Sequence, residues 1–161
     1  MSNLVQGMKI CTAFEPSRDP SGGVNSEGID LRNAHMVYVV VQLDQSGADQ
    51  ITATLQQSEG TNWEALVNTV PRWVNNDTDA NDTLVRQTNA VSYQTTVDVN
   101  PKMVVFQVDP AKLDDENATS GDPNYALRVR LTGGAAGDTY SAMFVVVPTR
   151  YKGATVPEVR L

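Results

Sequence analysis

The pattern of apolar and polar positions along the chain has mostly a period of two. Residues 36–43 (MVYVVVQL) place Val37, Val39, Val41 and Leu43 on one face. The opposite face carries Met36, Tyr38, Val40 and Gln42 and is also mostly apolar. A strand apolar on both faces is expected to be covered on both. Residues 103–108 (MVVFQV) repeat this pattern. Residues 51–57 alternate instead, with Ile51, Ala53 and Leu55 on one side and Thr52, Thr54 and Gln56 on the other, as in a half-buried strand. Tyr125, Leu127, Val129 and Leu131 form an inward set, which turns Arg128 and Arg130 outward.

Further strands are expected over residues 5–14, 84–88, 91–99 and 140–147. The 3, 1, 3 spacing of Trp63, Leu66, Val67 and Val70 predicts one or two helical turns, stopped by Pro71. Asp109 before Pro110 predicts a single capped turn. Residues 75–83 and 114–123 read as acidic loops. Pro16, Pro20, Gly22, Gly23 and Gly28 interrupt regular structure over residues 15–33. The expected fold is all-β: a single antiparallel β-sandwich, jelly-roll-like, over residues 34–148. Residues 1–33 form an expected N-terminal arm that carries attachment rather than the fold, and residues 149–161 an extended C-terminal tail.

Composition agrees. In 161 residues, Val, Ile and Thr number 40 and Leu only 10, a bias toward pleated sheet. The net charge is −7 with four lysines, which disfavours general nucleic-acid binding because phosphate neutralisation needs basic clusters. No apolar run approaches the roughly 18 residues of a membrane-spanning helix. The opening residues MSNLVQGMKI lack the basic-then-apolar pattern of a signal peptide. Cys11 is the single cysteine and His35 the single histidine. An intrachain disulfide and a thiolate zinc site are therefore excluded, and synthesis in a reducing cytosol fits.

No cofactor, metal or catalytic constellation is expected. Residues 77–82 (DTDAND) resemble the start of a calcium loop, but Asp82 and Thr88 stand where its glycine and glutamate would be. A solvated acidic turn accounts for them, and for Asp114, Asp115, Glu116 and Asp122. Cys11 and His35 as nucleophile and base rest on one residue of each kind, and a buried Cys and a surface His account for both. Gly133, Gly134 and Gly137 lie between strands rather than before a helix, so they do not form a phosphate loop. The partner-binding candidates are Arg128, Arg130, Tyr38, Trp63 and Trp73. The two arginines suit an acidic partner surface, against the alternative of a solvated strand face. The two tryptophans suit sugar stacking, against the alternative of anchoring a core or loop.

Three stretches carry a family resemblance: residues 62–71, residues 82–93 (DTLVRQTNAVSY) and residues 104–114 (VVFQVDPAKLD). The strand containing Ser141, Ala142 and Met143 and ending at Arg150 and Tyr151 continues it. Together, over residues 36–157, they resemble small virion structural proteins of tailed bacteriophages, including capsid decoration, or cement, proteins. The family pattern has a shorter loop where this chain has DDENATSGDP. The resemblance implies a non-enzymatic protein of the capsid surface, made in the host bacterial cytoplasm. It implies binding to the major capsid protein as a homo-oligomer, with a trimer favoured. The alternatives are a head–tail connector or tail component, or a carbohydrate-binding or adhesin β-domain.

Overall fold

A computed structural model describes residues 8–59, 62–113 and 126–148, and the backbone of residues 159–160. The strands are β1 (Lys9–Arg18), β2 (Val24–Asn25), β3 (Gly28–Asp30), β4 (Ala34–Asp44), β5 (Ile51–Glu59), β6 (Asn62–Ala65) and β7 (Val70–Asn75). They continue with β8 (Val85–Ala90), β9 (Ser92–Gln94), β10 (Lys102–Val108), β11 (Ala126–Gly133), β12 (Thr139–Pro148) and β13 (Val159–Arg160). Two antiparallel sheets form a sandwich. One has six strands in the order β1-β12-β4-β10-β7-β8. The other is built on the order β13-β3-β11-β5-β6, with β2 added to β11 and β9 to β5. From β4 to β5, β7, β9, β10, β11 and β12 the chain passes repeatedly from one sheet to the other, a jelly-roll-like path.

The inward positions build one core. Val37, Val39, Val41, Val104, Phe106, Val108 and Val146 come from the six-stranded sheet and meet Ile51, Ala53, Leu55, Leu127, Val129 and Leu131 from the other. All of these are fully buried. The expected facing of β4, β5, β10 and β11 is therefore observed, and Tyr125 lies outside the described residues.

Two expectations are corrected. Residues 63–70 contain no helical turn: Trp63 lies in β6, paired with Ser58 of β5, and Val70 opens β7, which includes Pro71. Pairing with a preformed neighbour outweighs an apolar spacing of two turns, which is marginal as an isolated helix. The expected arm is also part of the sandwich. β1 pairs with β12 at the edge of the six-stranded sheet, and β3 pairs with β11 and β13 in the other. Cys11, Ala13, Ile29 and Leu31 are core residues. Of the expected extended tail, residues 149–158 and 161 lie outside the described residues, and the backbone of residues 159–160 forms β13.

The turns close as their residues dictate. The Asp109 side chain accepts from the Ala111 amide at 3.0 Å, capping the 3-10 turn Pro110–Lys112. Fully buried Asp138 ties the β4–β5 connection to the β11–β12 connection. Its carboxylate accepts from the Ser46 amide at 2.7 Å, the Ser46 hydroxyl at 2.8 Å and the Ala135 amide at 2.8 Å. Gly134 beside it has φ +82°, a conformation side chains rarely adopt.

Candidate interaction surfaces

The five partner-binding candidates fall on opposite outer faces of the sandwich. Residues directly opposite in an antiparallel pair point to the same side. The register therefore places Arg86, Trp73, Val105, Val40, Met143 and Thr12 in one row across all six strands of the first sheet. The next row holds Gln107, Tyr38, Val145 and Ile10, and beyond it lie Met36 and Val147. On the other side of the first row lie Asn75, Met103, Gln42 and Ser141. Tyr38 and Trp73 thus belong to a broad apolar face. No acidic side chain lies in these rows, although the chain carries 19 Asp and Glu. Ile10 is 69% exposed.

The outer face of the other sheet is polar. Arg130 stands opposite Thr54 and Asn25, Arg128 opposite Gln56, and Thr132 opposite Thr52. Gln56 stands opposite Ala65, and Ser58 opposite Trp63. The Trp63 indole extends over this sheet until its ring edge abuts Gly28 of β3: a β-carbon there would lie 2.6 Å from the ring. The Arg128 guanidinium covers the ring at 4.4 Å, and its Nε donates to Gln56 Oε1 at 2.8 Å. Burial first, then the neighbouring Arg130, lower the Arg128 pKa from its ordinary value. Arg130 remains exposed. Beneath this face, fully buried Gln57 donates to Glu64 Oε1 at 2.7 Å.

Each tryptophan carries an arginine. Arg86 lies 5.0 Å from the centroid of Trp73. In each case the guanidinium covers one face of the indole. Sequence alone did not reveal these arginine partners, because Arg86 reaches Trp73 through sheet register and Arg128 reaches Trp63 across β5. Met143, Val145 and Val147 of β12 extend the apolar face.

The remaining chemically notable groups serve the fold. Asp77 Oδ1 accepts from the Asp79 and Ala80 amides, and Asp77 Oδ2 from Asn100 Nδ2 at 3.0 Å. Its oxygens thus close the turn. Among the described residues, no group of three or more His, Cys, Asp and Glu side chains is placed to hold a metal ion. Residues 114–123 lie outside the described residues. Cys11 is buried, and burial raises its thiol pKa against the opposing effect of Lys9. His35 is exposed at the start of β4. Lys102 is 1% exposed and donates from Nζ to the Asp98 carbonyl and, at 2.7 Å, to the Asn100 carbonyl. Burial lowers its pKa, against the raising effect of Asp98, Asp77 and Asp44. Among the described residues, no helix is long and apolar enough to cross a membrane.

No family model and no curated protein matches the chain. Its chain path is similar to that of the SPBc2 prophage-derived protein YomS, at 13% identity over 86% of this chain and 92% of that one, with a TM-score of 0.48. It is also similar to a chain from the structure of Broad Bean Stain Virus, at 14% identity over 80% and 66% of the two chains, with a TM-score of 0.38. A third similar chain is the N-terminal cellulose-binding domain of a Cellulomonas fimi beta-1,4-glucanase C, at 12% identity over 97% and 90%, with a TM-score of 0.35.

Proposed function

We propose that the protein is a tailed-phage virion structural protein, a capsid decoration protein that fastens to the major capsid protein on the outside of the assembled head as a homo-oligomer. The observation that carries this reading is the contrast between the two outer faces. One is largely apolar over the rows from Met36 to Gln42, with its acidic side chain Asp44 beyond them at the end of β4, as suits a contact that excludes water. The other presents Arg130 in the open beside an Arg128 held by Trp63 and Gln56, as suits an acidic partner surface.

Its action is binding, with no reaction catalysed. A ligand that binds only the assembled lattice stabilises that lattice by mass action. Against the sugar-binding alternative, an arginine covers one face of each tryptophan ring. The connector and tail alternatives differ from decoration only in place. Electron microscopy of virions carrying gold-labelled protein tests this: label spread over the head is expected, and label confined to the neck or tail overturns the decoration reading.

A further inference from the structure

We infer that the apolar outer face of the six-stranded sheet is the seat of a second copy of this chain, stacked face to face about a two-fold axis. This assignment rests on the homo-oligomer reading above and adds which surface is used and how many copies close the assembly.

Extent and charge support it. Six strands at about 4.8 Å spacing and about seven residues at 3.4 Å give a face on the order of 600 Å². That is below the roughly 800 Å² each partner buries in a standard complex and at the upper end of the apolar patches that monomers expose, and Gln42, Gln107, Asn75 and Ser141 make part of it polar. The chain carries a net charge of −7, so two copies repel each other over most of their surface. The rows from Met36 and Val147 to Met103 and Gln42 hold no acidic side chain, so this is where two copies approach at least electrostatic cost. Arg86 at the margin lies over Trp73. A charged partner would find almost no complementary charge here, whereas an identical face matches it in chemistry.

Two such sheets can stack with their strands within about 30° of each other and about 10 Å apart, the aligned arrangement of face-to-face sheets. The contact is isologous and closes at two copies, not three. Val40, Val105 and Met143 occupy its middle row, with Tyr38 and Val145 beside them. The polar face with Arg128 and Arg130 is then left open on both outer sides of the dimer.

Sedimentation equilibrium of the full chain gives the mass, expected at twice 17.5 kDa. The double variant Val40→Glu and Val105→Glu is expected to fall to the monomer mass with an unchanged β circular-dichroism spectrum, because neither side chain points into the core. Arg130→Glu is expected to remain a dimer. Should the double variant unfold, Tyr38→Arg on the same face provides the same test. A monomeric or trimeric wild type overturns the assignment, as does a dimer that survives the folded face variant. Pelleting with assembled heads separates the two readings. A dimer that does not bind heads leaves this inference standing and removes the decoration reading. A monomer that binds heads through Val40 and Val105 does the reverse.

Discussion

Arg128 and Val129 adjoin in β11 but lie in opposite environments. Val129 is fully buried between the sheets, while Arg128 lies outside, stacked on Trp63 and bonded to Gln56. A carboxylate at residue 129 would be buried without a partner, at a cost of several kcal/mol. Truncating Arg128 removes one stacked cation and one hydrogen bond, about 1–2 kcal/mol. Val129→Asp should therefore abolish the cooperative thermal transition, and Arg128→Ala should lower the midpoint by only a few degrees. Equal losses in a thermal melt would contradict this facing. The alternation of residues 127–131 makes it legible in sequence. The stacking of Arg128 is not, because it depends on β6 lying two strands away.

Tyr93 gives a second residue-scale test. It is 6% exposed and donates to Asn76 Oδ1 at 2.7 Å. Burial pushes its phenol from 10.0 up to about 12, against the lowering effect of Arg72. Between those values the folded chain keeps a proton that the unfolded chain has released. The associated stability is intact below about pH 10 and is lost as the pH climbs through that window, on the order of 2 kcal/mol. Tyr93→Phe has no such proton to lose. Denaturant unfolding at about pH 8 and about pH 11 should show a steeper decline for the wild type than for the variant. Parallel declines would contradict the burial of the phenol.

Among the elements, β1 and β3 depart furthest from what the sequence suggests. The proline- and glycine-rich stretch around them has the composition of an arm. Yet Ile29 and Leu31 are buried, and β1 covers the edge of β12. Their partners lie from 96 residues (Asp30 to Ala126) to 137 residues (Lys9 to Val146) away, and local composition carries no information about such pairings. Burying Ile29 and Leu31 contributes about 1.5–3 kcal/mol each, and removing β1 would expose a sheet edge as well. The total is comparable with the whole stability of an ordinary domain, about 5–15 kcal/mol. Deleting residues 1–33 is therefore expected to abolish the folded β signal in circular dichroism. A soluble, folded truncation would restore the arm reading. β4, β5, β10 and β11 were legible because each alternates strictly or is apolar on both faces. β6 was not, because Trp63, Leu66 and Val70 fit a helical spacing as well as two short strands.

The whole molecule is a sandwich with two unlike exteriors. The doubly apolar pattern of residues 36–43 and 103–108 pointed to one of them, and register joins those strands to β12 and β7 in a continuous face. Arg128 and Arg130 were legible as an outward pair, but their position opposite to Tyr38 and Trp73 emerges only from the two-sheet topology. In the proposed stacked pair, one arginine-bearing face would meet the acidic head surface proposed above, and the identical second face would turn away from it. The most direct measurement of this account is co-sedimentation of the full chain with assembled heads that lack it, beside unassembled capsid subunits. The account predicts saturable pelleting with heads, loss of pelleting in a folded Arg128→Glu and Arg130→Glu variant, and little association with free subunits. Absence of pelleting with heads, or equal association with free subunits, would contradict it.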